Sequence, residues 1–508
     1  MYTYIIKRRD FEGRGVSMKL NDVINNIDYE LIQGTEDTYI ESISYHSKHI
    51  EQDSLFVCIK GQRTDGHDYI AQAVMKGASA IIVERKVALE FIPEDLTVIQ
   101  VDKARSILPS LASQFYQYPS RDFRLVGVTG TNGKTSVSHM ISSILQHAGR
   151  KVGSIGTLGN KVNEMDIESR RTTPTTPEAL DLQDTFSKMK QSSVSDVVME
   201  VSSMGLALDR VNGCDFDIGV FMNLTQDHLD DHGTFDNYKQ AKLKLFKSCP
   251  FSIINADDEH AHDFIDASIG KYTTFGITNG EADLRAVSIT STASSVSFTL
   301  EGENLTEEIS VPIPGEFTVY NSLAAIASCL QMGLSIEKIK EALAVVKSPE
   351  GRLQTIESDQ GFSVMIDYAN TPDALENVLS NIRAYTAGKL MVVFGCGGDK
   401  DPKKRAKMGQ IASRWCDHMI LTSDNPRSEN PSTIIQDIEE GVLLESSYEV
   451  IEDRQKAIER SILLAEQGDI ILIAGKGHET DQIIGETVLP FNDVEVVKSR
   501  LASSPASS

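Results

Sequence analysis

The stretch from residue 123 to 148, FRLVGVTGTNGKTSVSHMISSILQHA, decides the fold of this chain. It begins with a short apolar run at residues 125–128, passes through a glycine-rich turn, and ends in apolar residues spaced three and four apart. The first pattern is typical of a buried strand and the last of an amphipathic helix. The sequence therefore predicts a strand, a loop and a helix in direct succession.

The loop in this unit has the composition of a phosphate-binding site. A glycine-rich turn at a helix N-terminus presents several backbone N–H groups to one anion. We expect Lys134 to reach the β- and γ-phosphates of ATP and the Thr135 hydroxyl to bind Mg²⁺. Val128 stands where a complete P-loop has its first glycine, so a turn that only begins a helix is the alternative interpretation. The residues predicted to hold the nucleotide here are Gly130, Thr131, Asn132, Gly133, Lys134, Thr135 and Ser136.

Apolar runs alternate with helical stretches along the rest of the chain, which predicts three α/β domains. Residues 1–118 are predicted to form a small N-terminal α/β domain. Residues 119–347 are predicted to form a central, P-loop-type nucleotide-binding domain with a mostly parallel sheet. Residues 348–508 are predicted to form a Rossmann-like, doubly wound domain. The apolar runs behind these predictions are residues 54–60, 80–84, 196–201, 218–223, 252–255, 390–395, 418–422 and 469–474.

Composition restricts the classes of function. The 49 Lys and Arg against 73 Asp and Glu give a formal charge of −24, which repels polyanions and argues against nucleic-acid binding. No apolar run approaches the ~20 residues of a membrane span, so we expect a cytoplasmic protein without a membrane partner. The six cysteines are scattered, which predicts reduced thiols rather than a disulfide framework. We also expect a monomer that starts at Met18, with residues 1–17 outside the fold.

Ordered motifs in all three predicted domains connect the chain to one family. With these segments the sequence resembles the Mur ligases, over about residues 18 to 497. The segments are 130–135 (GTNGKT), 175–178 (TTPE), 200–203 (EVSS), 227–230 (DHLD), 351–352 (GR), 367–369 (DYA), 395–399 (GCGGD), 424–427 (DNPR) and 475–479 (GKGHE).

The resemblance implies an ATP-dependent ligase of peptidoglycan synthesis, in which residues 1–118 bind the UDP-sugar, residues 119–347 bind ATP and residues 348–508 bind the amino acid. Such an enzyme phosphorylates a carboxylate to an acyl phosphate, which an amine then attacks. The implied substrates are UDP-N-acetylmuramoyl-L-alanyl-D-glutamate and meso-diaminopimelate, with ATP and Mg²⁺ as cofactors. Two alternatives stay open: a paralogue that adds another amino acid such as L-lysine, and a nucleotide-binding protein that has lost catalysis.

The resemblance also implies the catalytic and metal-binding residues. Two anions must meet before the first step, which calls for Mg²⁺ and cationic side chains. Lys242 matches a family lysine that CO₂ carbamylates into a metal ligand, whereas a solvated helix lysine is the alternative. The implied catalytic residues are Lys134, Glu200, His228 and Lys242, and the implied metal ligands are Thr135, Glu200, His228 and Lys242.

Substrate-binding residues follow from the same resemblance. Arg427 can hold the second carboxylate of diaminopimelate as a bidentate partner, whereas it would repel the terminal ammonium of lysine. A surface arginine is the alternative for Arg427, and helix capping is the alternative for the hydroxyl groups. The implied ATP contacts across the domain boundary are Asn321, Arg352 and Asp373. The implied contacts to the nucleotide-linked peptide are Ser47, Thr175, Thr176, Ser202 and Arg210. The implied amino-acid contacts are Lys400, Asp424, Asn425, Arg427, Gly475 and Glu479.

Four positions depart from the family pattern. Met204 and Asn370 stand where histidines are usual, and Thr318 replaces an asparagine. Lys400 stands where an arginine usually follows Gly-Gly-Asp, and a lysine cannot make the planar two-pronged contact of an arginine. The predicted phosphate and metal residues are all retained, so the reaction type is expected to be retained as well.

Overall fold

The structure, a computed structural model, describes residues 17–502 except 62–63, 89, 91, 171, 228 and 293. Residues 1–16, which the expected start at Met18 would leave out of the fold, lie outside the described residues. The same holds for His228, one of the predicted metal ligands. Along the described chain, sheets of five, eleven and six strands follow one another, together with two separate two-stranded pairs.

The N-terminal sheet contains strands that are buried on both faces. Leu55 and Val57 face one apolar cluster, whereas Phe56 and Cys58 face another, as expected for a strand covered on both sides. The elements are β1 (Met18–Lys19), α1 (Leu20–Ile24), β2 (Glu30–Gln33), β3 (Tyr39–Ile40), β4 (Ser42–Ser44), β5 (Ser54–Val57), α2 (Ile70–Met75), β6 (Ala78–Val83), β7 (Thr97–Gln100) and α3 (Ala104–Phe115). The sheet order is β2-β7-β6-β5-β4.

The central sheet carries the glycine-rich loop. Its elements are β8 (Arg124–Thr129), α4 (Lys134–His147), β9 (Val152–Gly156), β10 (Gly159–Val162), β11 (Met165–Asp166), α5 (Ala179–Gln191), β12 (Asp196–Glu200), α6 (Ser203–Ala207), β13 (Ile218–Phe221), α7 (Leu229–His232), α8 (Phe235–Phe246), β14 (Phe251–Asn255), α9 (Ala261–Ala267), β15 (Lys271–Gly276), β16 (Leu284–Ser291), β17 (Val296–Gly302), β18 (Leu305–Val311), α10 (Glu316–Gln331) and α11 (Ile336–Leu343). The order is β11-β10-β9-β12-β8-β13-β14-β15-β16-β17-β18.

Strands β9 to β16 in this spatial order run parallel, and the outer strands on each side are antiparallel. Helices α4, α10 and α11 cover one face of the sheet, and α5, α8 and α9 cover the other. Because β8, β12 and β13 are parallel neighbours, their carboxyl ends meet at one edge of the sheet. That edge holds the glycine-rich loop and Glu200.

The C-terminal sheet is parallel except for its first strand. Its elements are β19 (Gln354–Glu357), β20 (Ser363–Asp367), α12 (Pro372–Arg383), β21 (Leu390–Phe394), α13 (Lys403–Trp415), β22 (His418–Leu421), α14 (Pro431–Glu439), β23 (Tyr448–Val450), α15 (Arg454–Leu464), β24 (Ile470–Ala474), β25 (Asp481–Ile484), β26 (Thr487–Pro490) and α16 (Asp493–Ala502). The order is β19-β20-β24-β21-β22-β23. Helices α12, α13 and α14 cover one face, and α15 and α16 cover the other.

The predicted class, three α/β units with parallel-rich sheets, is confirmed. The antiparallel strands β16 to β18 extend the central sheet beyond what the sequence predicted. The domain boundaries at residues 118/119 and 347/348 stay a proposal; they fall between α3 and β8 and between α11 and β19. All six cysteines lie in the described part of the chain and none is in a disulfide. No helix of that part combines the length and the apolar character needed to cross a lipid bilayer.

Candidate active site

The glycine-rich loop joins β8 to α4 as predicted. Gly133 has a φ of +87°, a left-handed conformation that favours glycine, and α4 begins at the next residue. The Lys134 ammonium donates hydrogen bonds to the carbonyl oxygens of Gly130 at 2.8 Å and Thr131 at 2.9 Å. The lysine is therefore folded onto its own loop, within reach of any phosphate that the loop binds.

A cavity of about 420 Å³ opens beside this loop, between the central and C-terminal domains. Asn132, Gly133 and Ser136 line it from the loop side. Asn321 on α10 and Arg352 from the start of the C-terminal domain line the other walls. Five residues predicted to contact ATP thus surround one cavity.

Asp373 joins the two domains next to this cavity. Its carboxylate accepts a hydrogen bond from the Asn132 amide at 2.8 Å and from the Thr225 hydroxyl at 3.1 Å. Asp373 lies in the first turn of α12, whereas both donors belong to the central domain. Asp373, which the sequence predicts to contact ATP, is therefore hydrogen-bonded directly to the glycine-rich loop.

Glu200, at the end of β12, is buried against the start of α4. The Thr135 hydroxyl donates to its carboxylate at 2.8 Å. Thr157 donates both its backbone N–H, at 2.8 Å, and its hydroxyl, at 3.1 Å. Two of the predicted metal ligands, Thr135 and Glu200, are thus in direct contact.

Lys242, on α8, contacts the same glycine-rich loop. It is buried, and its ammonium nitrogen lies 2.8 Å from the carbonyl oxygen of Gly130 and 4.8 Å from the centre of the Tyr238 ring. Burial lowers the pKa of Lys242 well below the ordinary lysine value, and the nearby charge of Lys134 lowers it further. This environment favours a neutral amine, the form in which a lysine reacts with CO₂.

The donor set fits Mg²⁺, which prefers oxygen ligands and binds proteins through one or two carboxylates. The hydroxyl of Thr135 and the carboxylate of Glu200 supply such oxygens beside the phosphate loop. Among the described residues, no three His, Cys, Asp or Glu side chains form a ready-made metal cluster. Because His228 lies outside those residues, the structure does not test the predicted four-ligand set, and the site stays a proposal.

A second cavity, of about 730 Å³, lies where the C-terminal domain faces residues 157–161 and 166–169 of the central domain. Asn425, Arg427 and Glu479 line it from the C-terminal side. Thr157, whose N–H binds Glu200, lines it from the central side. Three of the six predicted amino-acid contacts therefore face the cluster around Glu200.

Hydrogen bonds hold the acidic wall of this cavity. The Asn425 amide donates to the Glu479 carboxylate at 2.8 Å, and the buried Lys476 ammonium donates to the same carboxylate at 2.8 Å. Lys476 also donates to the Asn425 side-chain oxygen at 3.1 Å. Burial raises the pKa of the neighbouring Asp424, whose Oδ2 has no hydrogen-bond partner among the described residues. Gly475 lies against this oxygen, since a Cβ there would stand 2.7 Å from it.

Arg427 is held in a fixed backbone conformation. Its φ is +50°, which is uncommon for a residue other than glycine. Its backbone N–H donates to the Ile483 carbonyl, and its backbone carbonyl accepts from the Gly485 N–H. The hairpin β25–β26 therefore holds the Arg427 backbone in place. One guanidinium nitrogen donates to the Gly398 carbonyl at 2.8 Å. A guanidinium has five N–H donors, which leaves others for a ligand carboxylate.

The residues predicted for the nucleotide-linked peptide form a second group near Glu200. The Thr176 hydroxyl lies 3.0 Å from the Glu200 carbonyl oxygen and 3.0 Å from the Ser202 hydroxyl, either of which can accept its one hydrogen. Arg210 donates to the Thr176 carbonyl at 3.2 Å and forms an ion pair with Glu178. The capping alternative also holds for Ser202, whose hydroxyl accepts from the Gly205 N–H at the start of α6.

Three predicted residues lie at the margins of this arrangement. The Thr175 hydroxyl is 3.4 Å from that of Thr157, at the edge of hydrogen-bond range. Ser47 is buried in the N-terminal domain, where its carbonyl accepts from Lys76 at 2.8 Å. Lys400 is exposed and is not among the described residues that line either cavity.

One of the departures from the family pattern has a visible consequence. The Thr318 hydroxyl donates to the Pro314 carbonyl at 2.8 Å, at the start of α10. The Lys404 ammonium donates to residue 370 at 2.9 Å, but the acceptor is the backbone carbonyl, so this bond does not depend on the Asn370 side chain. Nothing in the structure explains Met204.

Sequence reasoning did not select several residues that contact the predicted ones. Three of them stand inside the quoted motifs, and weighing every motif member would have found them. The other two stand outside the motifs, and only the order of the strands places them at the site. These residues are Glu178, Tyr368 and Lys476 in the motifs, and Thr157 and Thr225 outside them.

Comparison with known proteins gives consistent matches along the chain. The family described as "Mur ligase family, catalytic domain" matches residues 39–116, "Mur ligase middle domain" matches 128–329, and "Mur ligase, glutamate ligase domain" matches 351–477. The chain is 45% identical over 485 residues to UDP-N-acetylmuramoyl-L-alanyl-D-glutamate--2,6-diaminopimelate ligase 2 of Clostridium acetobutylicum, covering 95% of this chain and 100% of that protein.

Two further known proteins are similar to this chain over nearly all of its length. The protein named UDP-N-acetylmuramoyl-L-alanyl-D-glutamate--2,6-diaminopimelate ligase in Caldanaerobacter subterraneus subsp. tengcongensis is 45% identical over 489 residues, covering 96% of this chain and 100% of that protein. A solved structure of a UDP-N-acetylmuramoyl-L-alanyl-D-glutamate--2,6-diaminopimelate ligase is 30% identical, with a TM-score of 0.69, covering 96% of this chain and 99% of that one.

Three α/β domains around a phosphate loop, with these relatives, define an ATP-dependent ligase. The sequence predicted this class. The chain belongs to the Mur ligase family.

Proposed function

We propose that this ligase adds meso-diaminopimelate to UDP-N-acetylmuramoyl-L-alanyl-D-glutamate in peptidoglycan synthesis. The names of the most similar relatives support both substrates. One observation carries the proposal: Thr157 lines the cavity that holds Arg427 and Glu479, and its N–H binds Glu200 beside the phosphate loop. An amine bound in that cavity would therefore meet an acid activated at the loop.

The nucleotide part of the proposal rests on the smaller cavity. Gly133 and Ser136 line it at the N-terminus of α4, which begins with Lys134, and Arg352 lines the wall contributed by the C-terminal domain. The Arg352 Nε is buried without a hydrogen-bond partner among the described residues, which suits a group that receives an anion. Bound phosphates would draw Lys134 away from the two loop carbonyls that it now contacts.

Thr135, Glu200 and Lys242 would hold Mg²⁺ next to the phosphates, with His228 as a further proposed ligand. When bound, the ion neutralises negative charge on the reacting phosphate and carboxylate. A carbamylated Lys242 would supply an oxygen ligand where an ammonium would repel the ion. Its burial beside Gly130 and its lowered pKa support this modification.

The choice of amino acid rests on charge. Diaminopimelate carries a second carboxylate and a second ammonium at its far end, whereas lysine carries only the ammonium. Arg427 would bind the carboxylate and Glu479 the ammonium, with Lys476 and Asn425 keeping the Glu479 carboxylate in place. Lys400 is not part of this pocket as we propose it, because it is exposed and lines neither cavity.

The reaction itself needs these groups in a defined order. The peptide carboxylate would lie between Lys134 and the group formed by Thr176, Ser202 and Arg210, where ATP phosphorylates it. The amine held by the C-terminal domain would then attack the acyl carbon and expel phosphate. The proposal includes a cytoplasmic monomer without nucleic-acid or membrane partners. The formal charge of −24 supports the absence of a nucleic-acid partner.

A phosphate-release assay with a panel of amino acids tests this function. Purified enzyme, ATP, Mg²⁺ and UDP-N-acetylmuramoyl-L-alanyl-D-glutamate would be supplied with meso-diaminopimelate, L-lysine or L-ornithine in turn. We expect release only with meso-diaminopimelate, and a tripeptide product by mass spectrometry. Release with L-lysine alone would replace the substrate assignment, and nucleotide binding without release under any condition would refute ligation.

A further inference from the structure

Tyr368 lies between the two cavities and contacts both. The guanidinium carbon of Arg352, which lines the nucleotide cavity, stands 4.7 Å from the centre of its ring. The ring of His478, which lines the amino-acid cavity, is 5.1 Å away at an interplanar angle of 41°. The Tyr368 hydroxyl is 3.5 Å from the Glu479 carboxylate. One side chain thus touches the walls of both cavities.

The backbone segments around Tyr368 that carry Arg352 and His478 are in close contact. Gly351 precedes Arg352, and a Cβ there would stand 2.0 Å from the backbone nitrogen of His478. A Cβ on Gly477 would stand 2.8 Å from the Cβ of Tyr368. Both glycines have positive φ, +65° and +53°, so the close contact depends on the absence of side chains. The segments that carry Arg352 and His478 are therefore packed backbone to backbone.

We propose that Tyr368 is a positioning residue that couples occupation of the nucleotide cavity to the shape of the amino-acid cavity. The inference rests on the proposed function, because it takes ATP and diaminopimelate as the two ligands. Arg352 would settle on the nucleotide phosphates, and its contact with the aromatic face would carry the Tyr368 ring with it. The ring would in turn set the position of His478 and bring its hydroxyl into a full hydrogen bond with Glu479.

The existing bonds of Glu479 limit how large this effect can be. Lys476 and Asn425 already hold the carboxylate at 2.8 Å each, whereas the Tyr368 hydroxyl stands at the limit of hydrogen-bond range. Tyr368 therefore adjusts an existing pocket rather than building it. The consequence is a change in amino-acid affinity that depends on nucleotide, without loss of either cavity.

Kinetics of two variants at position 368 test the coupling. Tyr368→Leu removes the ring, and Tyr368→Phe keeps the ring but removes the hydroxyl. In the wild type, we expect the KM for diaminopimelate to fall as ATP rises from limiting to saturating concentration. In Tyr368→Leu we expect the KM for diaminopimelate at saturating ATP to rise about tenfold and to lose its dependence on ATP. Because coupling is reciprocal, the KM for ATP should change less than about threefold only when diaminopimelate is limiting. In Tyr368→Phe we expect a rise of about threefold.

Tyr385→Phe is the matched control, since its hydroxyl contacts only the Met365 sulfur among the described residues, at 3.8 Å in the same domain. It should behave as the wild type. The proposal is overturned if Tyr368→Leu keeps the ATP dependence of the wild type, or if it raises the KM for ATP as much as the KM for diaminopimelate when diaminopimelate is limiting. Tyr368→Phe decides the matter if the leucine variant does not fold, because a KM for diaminopimelate equal to that of the wild type contradicts the hydroxyl contact. A wild type that ligates no amino acid would refute the proposed function instead.

Discussion

Lys242 is buried against the carbonyl oxygen of Gly130, and burial lowers its pKa well below that of a free lysine. An unmodified ammonium at this position adds positive charge beside Lys134, whereas a carbamate would add a ligand oxygen. The neighbouring Lys239 and Lys244 form ion pairs with Asp263 and Asp209 instead. The contacts of Lys242 therefore distinguish it from the other lysines of α8. From the sequence, only the family resemblance could distinguish it.

Replacing Lys242 by alanine should abolish turnover, because it removes the proposed ligand oxygen, and added bicarbonate should not restore activity. Lys247→Ala, at the exposed end of the same helix, should leave turnover unchanged. The second readout is the carbamate signal from isotopically labelled bicarbonate, measured by nuclear magnetic resonance. The signal should appear in the wild type and be absent in Lys242→Ala; full activity in that variant would contradict the assignment.

Arg427→Lys should weaken the binding of diaminopimelate selectively. A lysine retains the charge but cannot make two parallel hydrogen bonds to a carboxylate. We expect the KM for diaminopimelate to rise about 10- to 100-fold, with the KM for ATP unchanged, which corresponds to about 1.4–3 kcal/mol. Arg414→Lys, on the exposed side of α13, is the control. A KM for diaminopimelate equal to that of the wild type would show that Arg427 does not bind the substrate.

At the scale of single elements, the turn after β15 depends on one carboxylate. Asp257 accepts hydrogen bonds from the backbone N–H groups of residues 277–279 and from the Tyr320 hydroxyl. Burial by itself would raise the pKa of Asp257, but these donors outweigh burial and lower it. The carboxylate thus fixes the end of a central strand beside the nucleotide cavity.

Asp257→Asn should destabilise the central domain by about 1–3 kcal/mol near neutral pH, because an amide oxygen accepts these bonds less strongly than a carboxylate. A group whose pKa is lowered by folding stabilises the fold above its unfolded pKa, and this stabilisation is lost as pH falls through the folded value. The difference between variant and wild type should therefore be constant down to about pH 4 and shrink below it. Thermal unfolding without nucleotide measures it, with Asp266→Asn on α9 as the control. A difference that grows on acidification would contradict this account.

The parallel strands were predictable because they are buried on both faces and read as continuous apolar runs. Strand β12 is fully buried along its length, and the run at residues 196–201 predicts it within one residue. Strands β16 to β18 have one partly exposed face, so their apolar residues alternate with polar ones and form no such run. The sequence missed them for that reason. Contacts such as Thr157 to Glu200 join distant segments, and only the strand order reveals them.

At the scale of the whole molecule, hydrogen bonds join the domains around the site. Asp373 links the C-terminal domain to the phosphate loop through Asn132. The Tyr45 hydroxyl links the N-terminal domain to Asp181 of the central domain at 2.5 Å. The three units must meet around one reacting carboxylate, so their relative position is part of the chemistry. The sequence predicted site residues in all three domains, but the residues that join the domains came only from the structure.

In the proposed reaction, ATP phosphorylates a peptide carboxylate before the amine attacks it. Labelling that carboxylate with oxygen-18 and analysing the products by mass spectrometry tests this directly. An acyl phosphate transfers one carboxylate oxygen to the departing phosphate, so we predict one labelled oxygen in the phosphate for each amide formed. Amide formation with unlabelled phosphate would contradict the claim.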